Sequence, residues 1–284
     1  MKVAVIDSGI NKEFCDFKHI AIEAGDFVPI GDENGHGTAS AAEIVNVNPN
    51  VELLVFKCLG ENNVGKLSYV VDALKSCLQR QDVSIINMSI STWIEDDEIF
   101  KYLENLVKRI IRKKMKVVAS ISNNITGKEK ARMFPGDIPG VIRIRHIYAS
   151  YNHLIFCEEE NTWLFYGPYH LMPTKQNTYA FYKGNSSFAA RYSGLLSITD
   201  KMDEMNRLLN AMEEEKAAYL PKEEAKKVIQ YICGGRQLDR DWETSEYIRL
   251  LKTLEMENGI ELDYKKFSIE TFKSVESLLE KISE

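Results

Sequence analysis

The sequence has little of what marks membrane, secreted or disulfide-stapled proteins. No apolar run reaches the roughly 18 residues that a membrane-spanning helix needs. The apolar stretch 3–6 meets Asp7 at once and is too short for the core of a signal peptide. The five cysteines are odd in number and widely spaced, with no CxxC pair, so neither a zinc site nor a disulfide framework is indicated. These absences favour a reducing, cytoplasmic compartment.

Strong positive charge is absent as well. The chain of 284 residues has a formal net charge of −6, and residues 201–284 contribute −5 of it through 19 acidic and 14 basic side chains. We therefore expect no nucleic-acid partner, and no membrane partner for want of a spanning segment. No acidic cluster of the kind that binds calcium is apparent, and we expect no metal or cofactor. The hydrophobic content of 44% suffices for one sizeable domain with an appendage, or for two small domains.

Short apolar strands and amphipathic helices alternate over the first 150 residues. The predicted strands are residues 3–6, 51–57, 83–90, 116–121 and 140–145. Helices are predicted at 65–81 and 98–114, and the inward face of the second is formed by Ile99, Leu103, Leu106, Val107 and Ile110. This alternation predicts an α/β fold, a parallel sheet with helices on both faces. Residues 150–183 are rich in aromatics and indicate short antiparallel strands and loops.

Three polar residues stand at positions where chemistry is common. Asp7 ends the first strand and precedes a glycine turn, although an aspartate there can also cap its own loop. His36 lies between two glycines at the start of a small-residue helix. Ser186, within the stretch 184–190, lies at the mouth of a buried helix, a place that also suits a simple N-cap.

Taken together, the motifs around Asp7, His36 and Ser186 resemble those of the subtilisin-like serine peptidases, the subtilases, in which the triad has this chain order. The resemblance covers about residues 1–200. It implies that Ser186 is the nucleophile, that His36 is its base and then the acid for the leaving amine, and that Asp7 orients the imidazole. It also implies that Asn123, rather than its neighbour Asn124, donates to the oxyanion.

The resemblance identifies a substrate-binding edge, and this edge departs from the family pattern. Ser89, Ile90 and Ser91 align with the strand that binds the substrate, and Ser122 precedes the predicted oxyanion asparagine. Ser91 and Ser122 replace glycines that shape the first specificity pocket in the family. Their side chains are expected to narrow the pocket, and we expect small residues to be preferred just before the cut.

These features predict an intracellular serine endopeptidase that cuts a specific peptide through an acyl-enzyme, for example to remove the leader of a ribosomally made peptide. Two alternatives stay open: an inactive scaffold that captures a peptide as an added strand beside residues 89–91, and a general turnover protease. Met1 stands two residues from the first strand, so we expect a native start without a propeptide.

The C-terminal part is predicted to be a small helical module, residues 203–284, that follows a peptidase domain of residues 1–202. Its predicted helices are 203–219, 221–233, 243–257 and 268–282. Residues 248–262 and 271–282 resemble acyl and peptidyl carrier proteins, but the attachment serine in its Asp-Ser-Leu context is missing near Thr244 and Ser245. We therefore expect a docking or folding module, or an extension that merely covers the peptidase domain, and not a working carrier.

Overall fold

The computed structural model describes residues 1–25, 29–122, 131–175 and 178–283. The strands are β1 (Lys2–Asp7), β2 (Ile22–Ala24), β3 (Glu52–Lys57), β4 (Val83–Met88), β5 (Thr92–Ile94), β6 (Lys116–Ser120), β7 (Arg132–Phe134), β8 (Ile142–Tyr148), β9 (His153–Cys157), β10 (Thr162–Gly167), β11 (His170–Pro173) and β12 (Tyr179–Tyr182). The helices are α1 (His36–Val47), α2 (Leu67–Gln79), α3 (Asp97–Arg112), α4 (Asn185–Leu196), α5 (Met202–Glu214), α6 (Lys222–Cys233), α7 (Thr244–Asn258) and α8 (Val275–Ile282).

The main sheet has eight strands in the order β2-β3-β1-β4-β6-β8-β10-β9. Every neighbouring pair is parallel except β9 and β10, which are antiparallel. Alternate residues of β1 enter different cores: Val3 and Val5 face one, and Ala4 and Ile6 face the other. A strand buried on both faces needs apolar side chains at every position, which is why β1 shows no polar alternation. The predicted α/β fold is confirmed.

Helices cover both faces of the sheet. The core on one face contains α1 and α4, and the core on the other contains α2 and α3. Small residues let α1 and α4 approach closely: a Cβ on Gly194 would lie 2.7 Å from the Cβ of Val47. This packing fixes the N-termini of α1 and α4 beside the carboxyl ends of the central strands.

Three local predictions need correction. The helix predicted at 203–219 is α5, which ends at Glu214, and residues 215–219 are not helical. Ile99, predicted to face inward on α3, is 44% exposed, and Phe100 is buried instead. The predicted helix 268–282 is two elements, a 3-10 turn over Ile269–Lys273 and then α8. The break occurs at Ser274, whose side chain accepts a hydrogen bond from the backbone N–H of Ser277 and so begins a new helix.

The C-terminal helices share a core with the hairpin β11–β12. Leu171 of β11 is fully buried among side chains of α6, α7 and α8, and Phe181 of β12 packs against the same cluster. The backbone N–H of Leu171 donates to the carbonyl O of Phe267 at 2.9 Å. Among the residues described, no helix is long and apolar enough to cross a membrane.

Candidate active site

Asp7 and His36 form the centre of the site. Asp7 is fully buried at the end of β1, and its Oδ1 lies 2.7 Å from Nδ1 of His36, the first residue of α1. The same oxygen accepts the Ser8 backbone N–H at 2.7 Å, and Oδ2 accepts the Ser40 hydroxyl at 3.0 Å. Because a carboxylate only accepts hydrogen bonds, Nδ1 of His36 carries a hydrogen.

Asp32, which sequence analysis did not single out, holds the loop that delivers His36. Its carboxylate accepts the backbone N–H groups of Gly35 and Thr38 at 2.8 Å each, and the hydroxyl of Ser8 at 2.9 Å. Burial by itself raises the pKa of Asp32, but hydrogen bonds from Thr38 and Gly35 outweigh it and hold that pKa below its usual range. The signal was present in the sequence, as an acid four residues before the histidine.

The close approach of α1 to the first strand depends on a glycine. A Cβ on Gly37 would lie 2.2 Å from the carbonyl O of Gly9, so a larger residue would push the helix start away. Gly35 has a φ of 93°, a left-handed conformation that glycine adopts without strain. The two glycines beside His36 therefore set the position of its ring against Asp7.

The carboxylates around His36 shift its pKa upward. Burial lowers the pKa of His36, but the charge of Asp7, its hydrogen bond to Nδ1 and the charge of Asp32 outweigh burial and raise it. The imidazolium form is thus stabilised at a buried site.

Ser186 is the second residue of α4, and it is tied to Ser89 at the end of β4. Its hydroxyl donates to the carbonyl O of Ser89 at 2.9 Å, and the hydroxyl of Ser89 donates to the carbonyl O of Ser186 at 3.0 Å. Asn185 fixes the helix start, since its Nδ2 donates to the carbonyl O of Ile121 at 2.9 Å. The predicted residues Asp7, His36, Ser89 and Ser186 thus lie at one edge of the sheet.

Tyr182, the last residue of β12, lies against the imidazole and was not predicted to belong to the site. Its hydroxyl is 3.1 Å from Nε2 of His36 and 2.8 Å from the hydroxyl of Ser40. Burial, followed by the charge of Asp7, raises the pKa of Tyr182 well above its usual value, and so the phenol keeps its hydrogen. Its place four residues before Ser186 was the one available signal.

A comparison with protein families identifies the family to which this fold belongs. The model of the subtilase family matches residues 1–204 of the chain. The chain belongs to the subtilase family. It is a serine endopeptidase, as the sequence predicts.

Known proteases resemble this chain at low sequence identity. The intracellular serine protease of Paenibacillus polymyxa is 24% identical across 89% of this chain and 85% of its own length. A lanthipeptide protease shares the fold with a TM-score of 0.57 and 16% identity, over 78% of this chain and 81% of its own. The nisin leader peptidase of Lactococcus lactis has a TM-score of 0.56 and 18% identity, over 73% of this chain and 81% of its own.

The predicted substrate edge of this subtilase borders an open cleft. Ile90 is half-buried, Ser91 is exposed, and both line a cleft of about 330 Å³ that Leu67, Val70 and Phe134 line with apolar side chains. The cleft lies between the start of α2 and the strand pair β5–β7. It has the size and apolar lining to take a side chain.

The predicted oxyanion asparagine comes three residues after β6 in the sequence. Asn123 and its alternative Asn124 lie outside the described residues. Ser122, just before them, is half-buried, and its backbone N–H lies 3.1 Å from the sulfur of Met133.

Proposed function

We propose that this subtilase cuts a specific peptide through a triad of Asp7, His36 and Ser186. The observation that carries the proposal is the 2.7 Å contact between Nδ1 of His36 and the buried Asp7. It leaves Nε2 as the nitrogen that takes the proton of the Ser186 hydroxyl. Ser186 stands at the start of α4, where helix N–H groups and the helix dipole favour negative charge.

The chemistry follows from these roles. Ser186 Oγ attacks the peptide carbonyl carbon while its proton passes to Nε2 of His36, and Asp7 stabilises the resulting imidazolium. The backbone N–H of Ser186 and the side chain of Asn123 donate to the oxyanion, and losing one such donor typically slows turnover about 10²–10³-fold. The imidazolium then protonates the leaving amine, and a water activated by His36 releases the acyl group.

The substrate is proposed to lie as an added strand beside residues 89–91, with one apolar side chain in the neighbouring cleft. Exposed main-chain groups give affinity for any extended peptide, whereas the cleft gives selectivity. Ser91 and Ser122, in place of glycines, are proposed to narrow the pocket next to the cut. We favour a dedicated substrate over general protein turnover on that ground.

We further propose that the dedicated substrate is a precursor peptide whose leader is removed, and that the enzyme acts in the cytoplasm. Two proteins of the same fold are a lanthipeptide protease and a nisin leader peptidase, and a relative is an intracellular protease. Residues 203–284 are proposed to serve as a docking or folding module for this task, since the part from Ala217 onward shares a core with the hairpin that leads to Ser186, while Met205 and Leu209 of α5 lie in the core of the main sheet.

Labelling with a fluorophosphonate probe tests the triad. We expect the wild-type protein to label and to cleave a reporter peptide, and Ser186→Ala to do neither while keeping its fold. Ser187→Ala is the neighbouring control, because that hydroxyl donates to Glu43 at 2.9 Å and not to Ser89, so this variant should still label. A label that persists in Ser186→Ala contradicts the assignment of the nucleophile, whereas a wild-type protein that never labels contradicts the proposal and favours a peptide-binding scaffold.

A further inference from the structure

Four side chains of the site form a closed ring of contacts. Its members are joined pairwise, His36 Nδ1 to Asp7 Oδ1 at 2.7 Å, Asp7 Oδ2 to Ser40 Oγ at 3.0 Å, Ser40 Oγ to Tyr182 OH at 2.8 Å, and Tyr182 OH to His36 Nε2 at 3.1 Å. All four distances are those of hydrogen bonds, so each contact requires one hydrogen.

Counting hydrogens reveals which form of His36 suits this ring. Ser40 and Tyr182 supply one hydrogen each, and the carboxylate of Asp7 supplies none. A neutral imidazole adds one more, which fills three of the four contacts. An imidazolium adds two, and every contact then has one hydrogen: Nδ1–H and the Ser40 hydroxyl both donate to Asp7, Tyr182 donates to Ser40, and Nε2–H donates to Tyr182. His36 is thus the double donor of the ring and Asp7 its double acceptor.

The charged side chains around His36 also favour its imidazolium form. Asp7 on β1 and Asp32 on the preceding loop both face His36 and favour its cation. Glu43 of α1 acts on Tyr182, but an ion pair with Arg191 of α4 at 2.9 Å compensates its charge. Tyr182 remains neutral and can accept Nε2–H because burial disfavours its anion.

We propose that Tyr182 is a positioning residue that holds the resting His36 as an imidazolium and keeps the enzyme inactive until the Nε2 proton is lost. This inference rests on the proposed triad. In the resting site Nε2–H is directed at Tyr182, while the Ser186 hydroxyl donates to the carbonyl O of Ser89 and also contacts the Tyr182 hydroxyl, so base and nucleophile are both engaged with other partners. Activation requires the Nε2 proton to leave for solvent, which the 18% exposure of the His36 side chain permits, and Nε2 then accepts the proton of Ser186.

The variant Tyr182→Phe tests the role of the hydroxyl. The phenyl ring keeps the packing but removes the acceptor of Nε2–H, so the imidazolium loses a partner. We expect the acid limb of kcat/KM to move to lower pH, and fluorophosphonate labelling at pH 6 to rise several-fold. Tyr179→Phe is the matched control on the same strand, because its hydroxyl donates to Asp16 at 2.8 Å and lies outside the ring.

Two outcomes would overturn the inference. An acid limb that moves to higher pH means that Tyr182 donates to a neutral imidazole, and an unmoved limb with lower kcat means that its role is structural.

A second measurement is made on the wild-type protein and does not depend on activity. Imidazole NMR of the resting wild-type protein, assigned with His36→Gln, should show both ring nitrogens of His36 protonated at pH 6.5, near the midpoint of an unperturbed histidine. A neutral His36 imidazole at pH 6.5 overturns the inference, even if Ser186 reacts with the fluorophosphonate. A doubly protonated imidazole in a protein that does not react with the probe contradicts only the proposed triad.

Discussion

At the scale of single residues, Glu43 and Arg191 form a buried ion pair between α1 and α4. The side chain of Glu43 is fully buried and that of Arg191 is 3% exposed, and Nη2 of Arg191 lies 2.9 Å from Oε2 of Glu43. Ser187 donates to the other carboxylate oxygen at 2.9 Å. Taking two charges out of water is costly, and only mutual pairing with further hydrogen bonds offsets the cost.

Breaking this pair should destabilise the fold strongly. Arg191→Met leaves Glu43 buried without its cation, which typically costs about 3–5 kcal/mol of unfolding free energy. The double variant Glu43→Leu/Arg191→Met should recover most of the loss, since no charge stays buried. Urea unfolding measures both. As a control, Lys101→Met breaks an exposed pair with Glu98 and should change stability by less than about 1 kcal/mol. A harmless Arg191→Met would contradict this reading.

Sequence analysis found site residues that stand at recognisable local positions. It missed Asp32, whose partners are mostly local, and it missed Tyr182 and Arg191, which depend on distant partners. Asp7 ends an apolar strand and His36 lies between two glycines, and both are local signals. Tyr182 meets the His36 ring across 146 positions, and Arg191 meets Glu43 across 148. A contact between residues that far apart depends on how the helices and strands pack, and no local pattern encodes it.

At the scale of elements, the start of α2 and the pair β5–β7 enclose the cleft beside the substrate edge. Leu67→Trp should fill part of it. We expect the preference for Leu over Ala at one upstream substrate position to fall about tenfold, within the range that apolar pocket contacts contribute. Positional scanning of a peptide library measures the change in kcat/KM.

Ser68→Trp is the matched control for this variant, since Ser68 is exposed in the same helical turn and does not line the cleft. If Leu67→Trp lowers kcat/KM equally at every substrate position, the cleft does not hold a substrate side chain. The same follows if Ser68→Trp lowers the preference for Leu as much as Leu67→Trp does.

Elements with clear periodicity were predictable, and elements whose limits depend on packing were not. The parallel strands appear as apolar runs because both of their faces are buried. On α3 the buried residues are Phe100, Leu103, Leu106, Val107 and Ile110, so the prediction was wrong only for Ile99, which lies in the first turn at the edge of the buried stripe. In the aromatic stretch, β10 joins the main sheet parallel to β8, a pairing that short strands do not specify by themselves.

At the scale of the whole molecule, the hairpin β11–β12 connects the two parts of the chain. Phe181 packs edge-on against Tyr247 and Phe272 of the C-terminal core, with ring centroids 5.8 and 6.1 Å apart. Tyr182, the next residue, lies against His36. Neighbouring side chains of one strand point to opposite faces, so the hairpin contacts the C-terminal core and the active site at once.

This connection predicts one cooperative unfolding transition in calorimetry. Phe272→Ala removes a fully buried ring, which typically costs about 3–5 kcal/mol, and should lower the single Tm by about 2–4 °C for each kcal/mol lost. Met256→Ala is the control, because Met256 of α7 is 75% exposed. Two separate transitions, of which only one responds to Phe272→Ala, would show that the two parts unfold independently.

The shared hairpin also has a consequence for anyone who builds chimaeras from this chain. A crossover at residue 202 would give Leu171 and Phe181 a foreign set of helices, and the mismatch would lie one residue from Tyr182. A crossover ahead of β11 keeps the hairpin with the helices that cover it. A segment that can be exchanged as a unit therefore begins near residue 168 and includes Ser186. Grafting residues 203–284 alone would leave the hairpin β11–β12 behind.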